Sequence, residues 1–231
     1  MELGGQIIAI GGGGFGRNPN HLKIEKYILA QSKKKCPNIC FIPTASAENQ
    51  EYIKNYNVAF HQLNCSTTVL SLFSRTPDLP KLILNQDVIY VGGGNTKSML
   101  AVWKEWNLDK LLVQAYKNGA ILCGVSAGAI CWFNKGITDS WENELKVIDC
   151  MGILNQNGCP HYNGEKDRRP SVMNFIKKEI IDSCICIDDG AAVHYIDGAF
   201  QKVVSFDGGS AYNASIINGR YNEQKLMEIH L

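Results

Sequence analysis

Ser126 lies in Gly124-Val125-Ser126-Ala127-Gly128, a Gly-x-Ser-x-Gly pentapeptide with an apolar run on either side. The run Ala120-Ile121-Leu122-Cys123 reads as a short buried strand, and Ala127 to Phe133 reads as an apolar helix. A serine at such a strand-to-helix junction sits on a tight turn that exposes its hydroxyl as a nucleophile. The turn strains the serine backbone, and the flanking residues must be small because helix and strand approach closely.

A serine nucleophile needs a base in hydrogen-bond reach, a group that orients the base, and amide donors aimed at the developing oxyanion. Of the five histidines, His21, His61 and His230 read as surface residues and His194 as a packed or surface residue in a short strand. His161 is the favoured base, because Pro160 before it and Gly164 after it make a rigid loop that presents one side chain. The run Gly92-Gly93-Gly94-Asn95 follows a strand-like segment, at the carboxyl edge where open parallel sheets place ligands. An amide near Gly93 or Gly94, with the N–H of Ala127, would make an oxyanion hole. The orienting acid is Asp139 or Asp189, and chain order does not choose between them.

The elements that must position these groups alternate strand and helix through the first two thirds of the chain. Strands are expected at 6–10, 38–42, 67–72, 87–91 and 120–123, with helices near 22–34, 48–63, 96–106 and 108–118. That pattern predicts an α/β fold of three layers, a mostly parallel sheet with helices on both faces. Beyond Asn134 short strands, turns and one helix near 171–181 predict antiparallel additions on the same sheet, so residues 1–231 are expected to form a single domain.

Gly11-Gly12-Gly13-Gly14-Phe15-Gly16 formally satisfies the dinucleotide-binding pattern, which also demands an acidic residue about 20 residues on, at the end of the second strand. That strand ends in Phe41-Ile42-Pro43-Thr44, so the run reads instead as a flexible loop beside the active-site crevice. Charges of 23 Lys plus Arg against 22 Asp plus Glu leave +1, which predicts no nucleic-acid or membrane partner. The expected partner is a small molecule or short peptide, and a homodimer is left open. Met1 to Gly5 leads straight toward the first strand without a secretion signal, and nine cysteines without Cys-x-x-Cys spacing read as buried thiols in a reducing, cytoplasmic setting. Cys184 and Cys186 lack further ligands for zinc, so neither metal nor cofactor is expected.

Together, Val91-Gly92-Gly93-Gly94-Asn95-Thr96, Gly124-Val125-Ser126-Ala127-Gly128-Ala129, Thr138-Asp139-Ser140 and Pro160-His161-Tyr162 resemble the aspartyl dipeptidase (peptidase E) and cyanophycinase group of serine peptidases. The resemblance implies a class I glutamine amidotransferase-like, flavodoxin-like fold. It further implies Ser126 as nucleophile, His161 as base, Asp139 as orienting acid, and amides of Gly93, Gly94 and Ala127 as the oxyanion hole. Substrate would be held by Asn95 and by a basic residue after the histidine loop, where Arg168 and Arg169 stand. The implied activity is hydrolysis of dipeptides carrying an N-terminal aspartate. The loop from His161 to the arginines is shorter than in the peptidase E pattern, and the alternatives are an esterase with a later histidine, His194 or His230, or a nucleotide-binding protein using the glycine loops.

Overall fold

The computed structural model describes residues 5–142 and 144–231. The expected signal-free lead-in at 1–4 lies outside them. Its elements run β1 Gln6–Ile10, α1 Lys23–Ala30, β2 Asn38–Ile42, α2 Gln50–Phe60, β3 Ser66–Val69, α3 Leu79–Ile83, β4 Val88–Val91, α4 Thr96–Glu105 and α5 Leu108–Lys117. They continue with β5 Ile121–Val125, α6 Ala127–Ile130, β6 Phe133–Trp141, β7 Glu144–Asp149, β8 Leu154–Cys159 and α7 Arg168–Lys177. Last come β9 Ser183–Ile187, β10 Ala191–Ile196, β11 Ala199–Ser205, β12 Ala211–Ile217, β13 Arg220–Lys225 and β14 Glu228–His230.

The larger sheet has the order β14-β11-β10-β1-β5-β4-β2-β3. Its run from β1 to β3 is parallel throughout, while β10 and β11 join antiparallel. These strands are apolar at consecutive positions because both faces are covered. Ile7, Ile42, Ile89 and Leu122 face a core shared with Met99, Trp103, Leu108 and Leu112 of α4 and α5. Their neighbours Ile8, Phe41, Tyr90 and Cys123 face Ile24 and Ile28 of α1 and Tyr56 and Phe60 of α2. The period-2 alternation of a strand thus splits one sequence run between two helical layers.

The late region departs from expectation. Only β10, β11 and β14 extend the first sheet; the rest form a second sheet, β13-β12-β9-β8-β6-β7, with parallel pairs β6/β8 and β8/β9. The second sheet has its own apolar surface, on which Cys159, Cys184, Cys186 and Ala214 pack with Val172 and Ile176 of α7. The divergence begins at α6, which stops at Ile130 where a helix to Phe133 was expected. Phe133 instead opens β6, and Gly136 in that strand lies so close to Ile130 that a Cβ there would come within 2.8 Å of its side chain. Burial of the bulky Trp132 and Phe133 against Trp103 and Tyr195 accounts for the break.

Candidate active site

Ser126 follows the end of β5, and its backbone occupies φ 57°, ψ −114° immediately before α6. A non-glycine residue there costs of order 1–3 kcal/mol, and the surroundings must enforce it. They do so by close approach: a Cβ on Gly124 would lie 2.4 Å from the Gly128 carbonyl oxygen, and one on Gly128 would lie 2.2 Å from that of Val91. The Ser126 N–H donates to the Ile10 carbonyl at 3.0 Å, which ties the turn to the end of β1.

Ser126 Oγ lies 2.8 Å from His161 Nε2, and His161 Nδ1 lies 2.6 Å from Asp189 Oδ1. The histidine is on the loop after β8, itself at positive φ (53°), with its N–H on the Gly11 carbonyl at 3.3 Å. The adjacent Tyr162 N–H bonds the Ile187 carbonyl at 3.1 Å, joining that loop to the end of β9. Asp189 follows β9; its N–H donates to Asn163 Oδ1 at 2.8 Å, and its Oδ2 accepts from Arg17 Nη1 at 2.9 Å. The His161 hydrogen bond, helped by the charges of His161 and Arg17, outweighs burial and holds the Asp189 carboxyl below the usual carboxylate range.

The first glycine run is what lets these loops meet. A Cβ on Gly12 would stand 1.8 Å from Asp189 Oδ1 and 2.7 Å from His161 Nδ1. The run is pinned by Gly11 N–H to Ala191 O at 3.0 Å and Gly190 N–H to Gly12 O at 2.9 Å. A flexible loop was expected; it is instead a fixed junction, in the expected place. Beneath it Glu25 is fully buried, accepting from the Phe15 N–H at 2.6 Å, and burial pushes its carboxyl up to about 7.

Several expected site residues stand elsewhere. Asp139 is not on the histidine: its side chain is 66% exposed, and its nearest cation is Arg168 Nη2 at 3.7 Å. It lies in β6 beside a break in the β6/β7 register, not in a loop at the carboxyl edge of the large sheet. Arg168 is buried and committed, with Nε on Glu165 at 2.7 Å and Nη1 on the Ile137 carbonyl at 2.9 Å. Arg169 pairs with Glu223 and stacks on Tyr162 and Tyr212. Asn95 caps α4 through Ser98 N–H at 2.9 Å and donates to the Ser140 carbonyl at 3.1 Å, so it is not free to hold substrate. Gly93 lies against the serine, where a Cβ would come 3.2 Å from Ser126 Cβ, whereas Gly94, at φ 139°, abuts the Ala45 carbonyl.

The serine and histidine open into a cavity of about 260 Å³ lined by Gly13, Gly16, Arg17, Tyr52, Gly93 and Val125. Tyr52 Oη accepts a long 3.4 Å hydrogen bond from the Gly93 N–H. Arg17, Tyr52 and Asn163 were not expected at the site. The signal for Arg17 was its place directly after the glycine run; the tyrosine and asparagine carried none. His194 is buried, with Nδ1 on Tyr27 Oη at 2.8 Å and Nε2 on Gln6 Oε1 at 2.9 Å, and burial takes its pKa down to about 4. Cys184 and Cys186 are packed in the second core. Among the described residues no group of three or more His, Cys, Asp and Glu could hold a metal ion, and no helix is long and apolar enough to cross a membrane.

The description "Peptidase family S51" matches residues 7–203. The chain belongs to this serine peptidase family. A relative from Bacillus subtilis, "Uncharacterized peptidase YgaJ", is 47% identical over 228 residues, covering 98% of this chain and 96% of its own. A "Peptidase E" from a Shewanella species is 29% identical over 168 residues, covering 66% of this chain and 68% of its own. Among solved structures, a peptidase from an acI-B1 Actinobacterium superposes with TM-score 0.71 at 20% identity, covering 98% of this chain and 96% of that one. A putative peptidase E from Listeria monocytogenes superposes with TM-score 0.63 at 18% identity, covering 86% and 97%. These two likenesses bear on the fold, which is that of peptidase E-type structures and consistent with the class I glutamine amidotransferase-like architecture.

Proposed function

We propose that this S51 peptidase hydrolyses short peptides, foremost dipeptides with an N-terminal aspartate, through a Ser126–His161–Asp189 triad. The observation that carries the reading is the unbroken hydrogen-bonded line from Ser126 Oγ through both ring nitrogens of His161 to Asp189 Oδ1. In it, Asp189 keeps the proton on Nδ1, so Nε2 is free to take the Ser126 proton as Oγ attacks the scissile carbonyl. The tetrahedral oxyanion rests on the N–H of Ala127, at the first position of α6 where no intrahelical acceptor exists, and on that of Gly93, which gives up its long 3.4 Å bond to Tyr52 Oη for the oxyanion. Each such donor is worth roughly 3 kcal/mol in the transition state. His161 then protonates the departing amine; a water next gives its proton to His161 as its oxygen attacks the acyl-serine carbonyl, and the histidine returns that proton to Ser126 Oγ as the ester bond breaks.

A cavity of about 260 Å³ suits one short side chain, in keeping with a small substrate. An esterase using a later histidine is not favoured, because His194 is tied to Tyr27 and Gln6 and His230 is exposed beside Glu228. Nor is a dinucleotide site under the glycine run, whose space near Gly12 is taken by Asp189 and His161. The nine free cysteines favour a reducing compartment, and with it a cytoplasmic location. The test is hydrolysis of Asp-Leu, Glu-Leu, Asn-Leu, Ala-Leu and acetyl-Asp-Leu by wild type and Ser126→Ala. The proposal expects serine-dependent cleavage of Asp-Leu and none of the acetylated peptide; equal turnover by Ser126→Ala contradicts it.

A further inference from the structure

We infer that Arg17 is the specificity-determining residue of the site, receiving the side-chain carboxylate of an acidic residue whose carbonyl faces Ser126. The inference rests on the peptidase reading above and names the group that would recognise the substrate. Arg17 lines the same cavity as Ser126 and His161, and among the described residues is the one lysine or arginine that does so. It is bound through a single donor, Nη1 to Asp189 Oδ2 at 2.9 Å, and its side chain is 63% exposed. Among the described residues the remaining guanidinium donors make no hydrogen bond, so a two-donor edge is left for a ligand. A planar guanidinium matches a carboxylate in that two-point manner and distinguishes it from the amide of the same shape.

The placement is fixed from below. The Arg17 N–H closes a turn onto the Gly14 carbonyl at 3.1 Å, so the arginine leaves the glycine junction in a defined direction. Its contact with Asp189 sets the guanidinium one carboxylate away from the His161 ring. Arg17 also borders a second hollow of about 310 Å³, lined by Asn18, His21, Asn163 and Asp207, and thus stands on the partition between the two. The arginines of α7 offer no such group, since Arg168 is buried on Glu165 and Ile137 and Arg169 is held by Glu223 between two tyrosine rings.

Arg17 has a competing role, since it also touches Asp189; a residue that merely positions the acid affects every substrate alike. The experiment therefore compares kcat and KM for Asp-Leu and Asn-Leu, which differ only in charge, in wild type, Arg17→Gln, Arg17→Lys and Arg169→Ala. Losing a charge-assisted hydrogen bond to substrate corresponds to about 10- to 100-fold in kcat/KM. The inference expects that Arg17→Gln erases the preference for Asp-Leu by about this factor, chiefly through KM. Asn-Leu should fall by a smaller factor, the part of the loss that comes from the broken contact with Asp189 and is common to both peptides, while Arg17→Lys should restore part of the preference and Arg169→Ala should keep it. An equal fall on both peptides, or an unchanged ratio, overturns the inference. Labelling of each variant with a fluorophosphonate runs alongside: wild type that neither labels at Ser126 nor cleaves any peptide defeats the peptidase reading itself, whereas labelling and cleavage without acid preference defeats only the role of Arg17.

Discussion

Replacing Asp189 by Asn, with Asp139→Asn as its control, separates two aspartates that differ in geometry alone. During attack His161 gains a proton and becomes a cation facing Asp189 across a 2.6 Å hydrogen bond. Two unit charges about 4 Å apart at an effective dielectric near 20 attract by about 4 kcal/mol. An asparagine forfeits that attraction and, by offering an N–H to Nδ1, also favours the tautomer whose Nε2 carries the proton and cannot accept one from Ser126. At 1.36 kcal/mol per decade the electrostatic part alone predicts a fall of roughly 10³-fold in kcat, and the tautomer effect extends it toward 10⁴. Asp139 is 66% exposed and among the described residues pairs with Arg168 alone, at 3.7 Å, so Asp139→Asn should leave kcat/KM within about threefold. The assay is initial-rate hydrolysis of whichever dipeptide wild type cleaves fastest, with folding checked by circular dichroism. A loss with Asp139→Asn as large as that with Asp189→Asn would refute the assignment.

Gly12→Ala places a Cβ 1.8 Å from Asp189 Oδ1, so the carboxylate or the histidine must shift by about 1 Å; steady-state kinetics should show about a 100-fold loss, and near-wild-type activity would refute the account of the glycine junction. Glu25 binds its proton more tightly folded than unfolded, with a carboxyl pushed up to about 7, so wild type should lose roughly 3 kcal/mol of stability as pH rises from 4.5 through 7. Urea titrations at pH 5 and 8 should show this slope flattened in Glu25→Gln, which keeps the acceptor for Phe15 N–H; an unchanged slope contradicts the assignment. Arg168→Ala should cost about 3 kcal/mol in the same assay by leaving the Ile137 carbonyl and Glu165 without their partner, while Arg169→Ala, partly exposed, should cost less than about 1 kcal/mol.

The strands β1 and β2 and the elbow were legible because local patterns decide them: consecutive apolar residues bounded by glycine or proline, and small residues around one serine. The five-residue helix α3 was missed although Asp78 caps it and Pro80 sits in its first turn, because its apolar run is too short to show a period. The residues left Asp139 and Asp189 open and the resemblance pointed to Asp139, whereas the structure brings Asp189 to His161, for a non-local reason. Which aspartate reaches His161 depends on Ile187 and Ala191 flanking the ends of β9 and β10, and on β10 pairing with β1. No spacing in the chain reports that order. Arg168 and Arg169 misled in the same way, since sequence placed them near the histidine loop but not whether α7 turned them toward the second sheet. The first glycine run formally matched the dinucleotide-binding pattern because the physical demand is the same, close approach of another group to the backbone; here that group is the carboxylate of Asp189.

The most direct measurement is the site of covalent modification by a fluorophosphonate, mapped by mass spectrometry of the intact protein and its peptides. A single adduct on Ser126 that disappears in His161→Ala, and forms far more slowly in Asp189→Asn, is the predicted result. An adduct on another residue, or labelling of Ser126 at the wild-type rate without His161, would contradict the triad.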